Sequence, residues 1–530
     1  MTVDLRIRGG TVHDGTGRAP FPADVLIDGG RIVAVTSHPG DPEAARVIDA
    51  QGLAVAPGFI DIHTHSDVSV LLDGRAQSKV HQGVTTEVTG NCGFSPFPLV
   101  ADHLEDHLDL LAGLGHDPVT PTWTDLDGYA DAVTASGVAI NVAPLVGHGQ
   151  LRIAELGMAE EVREDGIAAM RRRLADLLEQ GAFGMSTGLT YVPSRYAAWD
   201  ELVALCSVLA AHGAVYATHS RADVEVGIDE ASRLGRATGA RIQYSHVALN
   251  EPAVWGSAAT VLARFEEARR TGADVGCDVY PYAASASALT QYVPAWVQEG
   301  GVGAMRSRLS EPAVRRRAED ELASGWGPDG RIPWLWDRVV ISRGVPVAGG
   351  PAAEGRTIEE ASAAAGLSPA RYVLELCREG GNLVQVVLFY RSEEDVRTFL
   401  RSDLTLLGSD GSAVPLEPGG ARPHPRGFGA HTRLLGRYTR ELGDLDLTTA
   451  VRKMTGAVAD RLGLTDRGVL RPGTAADVVV FDPATVADTA SFLEPCQAPV
   501  GIDLVVVNGT IVVEAGVQTP ARPGEVLRAR

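Results

Sequence analysis

Lysine is almost missing from this chain. Of 47 basic residues all but Lys79 and Lys453 are arginine, so chemistry that needs an amine side chain has almost no candidates. Positive charge as a whole is in deficit: 67 acidic residues bring the formal net charge to −20, which opposes contact with nucleic-acid phosphates. No apolar run approaches the roughly 18 residues of a membrane-spanning helix. The opening MTVDLRIRGG alternates like a strand and lacks the apolar stretch of a secretory signal. Five cysteines (Cys92, Cys206, Cys277, Cys377 and Cys496) are scattered without close spacing, which suits a reducing cytoplasm and not a disulfide framework. These absences predict a cytoplasmic protein with a small-molecule substrate and neither a nucleic-acid nor a membrane partner. They leave the oligomeric state open.

What is present points to an α/β chain. Its 530 residues, 45% hydrophobic with 60 glycines, suffice for several domains or for one large barrel with a satellite. Alternating strand texture fills both ends, in DLRIRGGTVHDGTG, ADVLIDGGRIVAV and RVIDAQGLAVAPG, then in GVLRPGTAADVVVFDP and IDLVVVNGTIVVEAG. One small β-domain assembled from residues 1–56 and 465–530 accounts for both. Between them lies the βα alternation of a barrel over residues 57–464. Eight strands are expected: GFIDIHTH, GVTTEVTG, AINVAPLVG, GAFGMSTG, AVYATHS, RIQYSHV, ADVGCDVYP and LTLLGSD. Helices such as EEVREDGIAAMRRRLADLLEQG and WDELVALCSVLAAHG separate several of them. The excess length before the eighth strand, about 286–400, reads as an insertion after strand seven that could cap a site.

Chemistry concentrates at the strand ends. In PGFIDIHTHSD, His63 and His65 are two residues apart on an apolar run, so both imidazoles face the same way, as a metal requires. His219 ends the fifth strand and His246 the sixth, completing a four-histidine cluster at the rim where barrel active sites form. Cys92, in TGNCG, is either a thiolate ligand presented between glycines or a small buried apolar residue. Asp410 ends the eighth strand before Gly411. A carboxylate there can bind a metal, take a proton from water and return it to a leaving group. Asp278 on strand seven is the rival. Cys206, Cys277, Cys377 and Cys496 read as core fillers. His13, His38, His81, His103, His107, His116 and His212 read as surface or loop residues, while His148, His424 and His431 could line a pocket.

Together these segments resemble the amidohydrolase superfamily, and within it the N-acyl-D-amino-acid deacylases. The likeness covers most of the chain, through QGVTTEVTGNCGFSPFPL, LVGHGQLR, FGMSTGLTYVPSRYA, ATHSR, DVYPYAASASAL, GSDG and HPRGFGAHTRLLGRY as well as the first histidine pair. It implies a (β/α)8 TIM-type barrel with a β-sandwich made from both ends. It also implies one zinc on Cys92, His219 and His246, a second or weaker site at His63, His65 and Asp410, and Asp410 as acid and base. Relatives that bridge two metals with a carbamylated lysine carry it after strand four, but GAFGMSTG has none. The resemblance further places Tyr191 and Ser285 at the substrate carboxylate, with Arg426 and Arg221 as candidate cations. A lysine that many such deacylases carry two residues after the strand-six histidine is here Ala248. That departure keeps open a hydrolase of another amide, a dipeptide, a cyclic amide or a lactone without a free α-carboxylate. A metal-binding scaffold without activity is the remaining alternative.

Overall fold

The computed structural model describes residues 2–37, 43–221, 224–327, 330–347, 349–417 and 421–529; His38 lies outside them. Strands from both ends of the chain build one nine-stranded sheet. Val478–Phe481 pairs antiparallel with Ala54–Pro57, so Val480 stands opposite Val55 and Phe481 opposite Ala54. Outward from that seam lie Val3–Val12, Phe21–Asp28 and Arg31–Thr36 on one side, and Ile502–Val507, Thr510–Glu514 and Val517–Gln518 on the other. Alternation sorts the side chains. Val478, Val480, Leu504 and Val506 share a core with Leu5, Ile7, Val25 and Ile27, so the sheet curls back on itself. Val479, Phe481, Val505 and Val507 point the other way into the main core. A strand buried on both faces must be apolar throughout, which is why this segment reads VVVF.

A single residue, Gly58, separates the seam from the first barrel strand, Phe59–Asp61. All eight expected barrel strands are present: Val84–Thr89, a third strand split into Asn141–Pro144 and Val146–Gly147, then Gly184–Gly188, Val215–His219, Arg241–Tyr244, Val275–Val279 and Thr405–Leu407. Neighbours pair in parallel from the first to the third and from the third to the eighth. Just past the strand ends, Thr64 bridges Gly411, the Asp410 amide donates to His63 O at 2.8 Å and the His65 amide to Gly411 O at 3.1 Å, which closes the ring.

Buried Lys79 braces that closure from below. Its Nζ donates to Asp61 Oδ2 at 2.9 Å and Ser409 Oγ at 2.7 Å and lies 2.9 Å from Glu87 Oε1, while Asp61 Oδ1 accepts from the Ser409 amide. Lys453 donates to the carbonyls of Ser402 and Thr405. Between the seventh and eighth strands the chain forms an antiparallel sheet of Ser285–Ala288, Gln385–Leu388 and Val339–Arg343, with the helices Ala295–Gln298, Gly301–Ser310, Pro312–Ser324, Ile358–Ala365 and Pro369–Gly380 among them and an apolar core of its own. Among the described residues no helix is long and apolar enough to cross a membrane.

Candidate metal centre and active site

Six side chains converge at the rim. His63, His65, Cys92 and Asp410 place ligand atoms within 4.8 Å of one another, and so do Cys92, His219 and His246, so Cys92 belongs to both groups. Its Sγ lies 3.3 Å from His63 Nε2 and 3.4 Å from His246 Nε2. Asp410 Oδ1 stands 2.9 Å from His65 Nε2 and 3.5 Å from His63 Nε2. Buried nitrogens His65 Nδ1 and His219 Nδ1 have no hydrogen-bond partner. A soft thiolate, imidazoles and one carboxylate within a single ion's reach are the donor set of zinc.

Backbone conformation aims these groups. His63, His65, Cys92, His246 and Asp410 all lie past the last residue of their strands, not within them. Three are held in the left-handed region, Cys92 at φ 54°, His246 at 36° and Asp410 at 51°, where a residue with a Cβ is strained by about 1–2 kcal/mol. Ala76, Asn508 and Ala515 are the other such residues described, so half of this strain sits on one cluster. The Cys92 loop is clamped as well. A Cβ on Gly188 would stand 2.0 Å from Cys92 O, and one on Gly93 would stand 2.8 Å from the Gly188 amide. The TGNCG and STGL segments are therefore two halves of one close backbone contact.

Electrostatics follows from burial. Desolvation would raise the Cys92 thiol, but His63 and His246 beside it hold it well below its ordinary value, favouring the thiolate. Burial would likewise raise the Asp410 carboxyl; Arg426, His246 and His65 more than reverse this and keep it ionised. Arg426 Nη1 lies 2.7 Å from Asp410 Oδ2, and its guanidinium carbon is 4.6 Å from the centre of the Tyr280 ring. Asp278 occupies a different place. It receives the His246 amide at 2.8 Å and Gln243 Nε2 at 2.9 Å, and its Oδ1 is 3.1 Å from His63 Nδ1. It stands behind the histidines, not in front of them.

The cluster opens into a cavity of about 1180 Å³ whose wall includes residues of the inserted region. Tyr191, Ser285, Arg426 and Arg221 all line it. Tyr191 meets His219 edge-on with ring centres 5.1 Å apart. Arg221 has its donors committed, Nε to Glu230 and both terminal nitrogens to the carbonyls of Arg195 and Ala197. His424 lines the cavity and accepts the Arg426 amide on Nδ1 at 3.0 Å. His148 and His431 do not line it: His148 joins Ser194 and Glu201, and His431 stacks on Phe59.

Two groups of residues sit elsewhere than their sequence suggests. His107 is buried within a helix; His13, His81 and His116 do lie in loops or turns, but His13 and His81 are buried there and His116 lines the cavity. Their cover comes from distant segments; Thr448, for instance, hydrogen-bonds His13 across 435 positions. Cys496 is only half-buried and also lines the cavity, whereas Cys206, Cys277 and Cys377 are core residues. Sequence reasoning missed Arg391 altogether. It lines the cavity from the segment LFYRSEED, which carries no motif, so no local signal marks it.

The model of an amidohydrolase family matches residues 46–323 and 331–513. An N-acyl-D-glutamate deacylase of Alcaligenes xylosoxydans xylosoxydans is 38% identical over 99% of this chain and 96% of its own. A D-aminoacylase of the same organism is 36% identical over 99% and 97%. The crystal structure of an N-acyl-D-glutamate deacylase from Bordetella bronchiseptica, complexed with zinc and a phosphonate mimic of the tetrahedral intermediate, superposes with a TM-score of 0.83, at 35% identity and 100% coverage of both chains.

Proposed function

This chain belongs to the amidohydrolase family, and from that membership we infer that it removes the acyl group from N-acyl-D-amino acids, releasing a carboxylate and a free D-amino acid. The observation that carries this reading is the position of Asp410, with one face on the imidazole and thiol cluster and the other on a cavity-lining arginine. Cys92, His219 and His246 are the residues to hold zinc, with His63, His65 and Asp410 as a second or weaker site. When bound, zinc supplies a Lewis acid that polarises an acyl carbonyl and makes water acidic enough to react near neutral pH.

The chain's own groups do the rest. Asp410, ionised at neutral pH, takes the proton of the attacking water and then delivers it to the departing nitrogen, the step a poor amine leaving group demands. Arg426 holds the carboxylate in line from the cavity side. Asp278 accepts the proton of His63 Nδ1, which fixes that ring's tautomer and leaves Nε2 facing Cys92. Tyr191 and Ser285, both on the cavity wall, orient the amino-acid portion. Five free cysteines, four of them buried, support the reducing cytoplasm as its setting.

Amine release by the zinc-loaded protein from paired N-acetyl-D- and N-acetyl-L-amino acids tests the reading. Selective release from D substrates is expected, and Asp410→Asn should abolish it while zinc stays bound. Full turnover by that variant would overturn the role of Asp410. Ala248, which lines the cavity without charge, favours the second reading, a substrate lacking an α-carboxylate. Silence on both enantiomers with zinc bound would select it.

A further inference from the structure

The cavity holds a buried cation that no carboxylate among the described residues pairs with. Arg391 follows the central strand of the inserted sheet and is 9% exposed. Its guanidinium carbon lies 4.5 Å from the centre of the Tyr280 ring, the same ring that Arg426 approaches to 4.6 Å. Its Nε donates to Asn250 Oδ1 at 2.9 Å, and Asn250 lines the same cavity just beyond Ala248. Nη1 is buried with no partner, and no carboxylate among the described residues pairs with this side chain.

Burying an unpaired charge is costly, and proteins seldom do so without a purpose. Packing alone explains it poorly. A methionine or leucine would fill the space over Tyr280 without the cost, and the Asn250 bond fixes the fork in one orientation. Arg426 differs in being set against Asp410. Of the two buried arginines on the Tyr280 ring, the one without a carboxylate partner among the described residues is thus Arg391, and a planar guanidinium is shaped for two-point capture of a carboxylate.

Building on the deacylase reading, we propose that Arg391 is the receptor for a carboxylate of the substrate, so that specificity for an acid is supplied by the inserted region. The carboxylate is either the α-carboxylate of the amino acid or the side-chain carboxylate of an acidic one. Tyr280 sets the plane against which the guanidinium lies, and Asn250 holds it there as a positioning residue.

Arg391→Met, which keeps length and apolar packing, Arg391→Lys and Asn250→Ala provide the test. On the zinc-loaded full chain, KM and kcat are measured for N-acetyl-D-leucine, N-acetyl-D-glutamate and N-acetyl-D-leucinamide. Arg391→Met should raise KM for the acids by at least about thirty-fold, with a much smaller change in kcat, and erase the preference for the acid over the amide. Lysine should restore part of the loss, and Asn250→Ala should fall between. A loss on both acids assigns the α-carboxylate; a loss on N-acetyl-D-glutamate alone assigns the side chain. An unchanged acid-over-amide ratio together with an unchanged KM for N-acetyl-D-glutamate in Arg391→Met overturns the proposal while leaving deacylation standing. Calorimetric binding of D-leucine, D-glutamate and D-leucinamide separates the two failures. Carboxylate binding that depends on Arg391 in a protein that hydrolyses no N-acyl-D-amino acid sinks the deacylase reading and keeps this one.

Discussion

Asp278 Oδ1 sits 3.1 Å from His63 Nδ1 and accepts the His246 amide at 2.8 Å, so one carboxylate oxygen sets the position of two histidines from different strands. Partners of this kind are expected to govern affinity more than fold. Asp278→Asn should weaken zinc binding by about 10- to 100-fold, and excess zinc should restore activity. Competition with a chromogenic chelator measures this. Unaltered affinity would mean that the histidines are held by packing alone.

Gly188 has no room for a side chain, because its added Cβ would meet Cys92 O at 2.0 Å. Gly188→Ala should therefore displace the Cys92 loop and cost about 1–3 kcal/mol of stability or more. Zinc content should drop with it. A variant that melts like the parent and retains its zinc would refute the clamp.

Lys79 is fully buried between Asp61 and Glu87. Lys79→Met strands two carboxylates in the barrel, a loss on the order of 3–5 kcal/mol. Adding Asp61→Asn and Glu87→Gln should return much of it, since no charge is then left uncompensated. Denaturant midpoints of the single and triple variants give the comparison.

His107 offers a pH signature away from the site. Burial pulls its imidazole down to about 4, and the Val100 amide donates to its Nε2 at 3.3 Å, which requires the neutral ring. Between the ordinary value of 6.5 and about 4, the unfolded chain binds a proton that the folded chain refuses. The stabilisation is therefore complete above pH 6.5 and is lost as pH falls through 4, amounting to about 3 kcal/mol. His107→Gln should flatten that part of the acid limb in chemical unfolding.

Much of this molecule can be read from local pattern, and the remainder depends on contacts that pattern does not encode. Each barrel strand is a short apolar run ended by a turn, so all eight were legible, although the split at Leu145 in the third was not. Two-residue spacing put His63 and His65 on one side even though both lie past their strand, because Thr64 continues the parallel pairing with Gly411. Insertion after strand seven was visible as surplus length. Its antiparallel sheet and its aromatic cluster of Trp326, Trp334, Tyr292 and Tyr390 were not, since irregular spacing hides such a unit. Asp278 and Asp410 looked alike as strand-end acids, and what separates them is which neighbours each one faces. Arg391 is anchored by Asn250 across 141 positions, a distance over which sequence texture carries no signal.

The seam between Ala54–Pro57 and Val478–Phe481 has a consequence for biosynthesis. At roughly 5–20 residues per second, a ribosome needs on the order of half a minute between making one strand and making its partner. Throughout that interval the N-terminal strands leave the tunnel with an open edge. The segment that carries His63 and His65 lies just past Phe59–Asp61, the strand that follows that edge. Translation of the last strands acts as a clasp: nascent chains halted before it should be the ones that chaperones capture, and metal acquisition becomes a post-translational event.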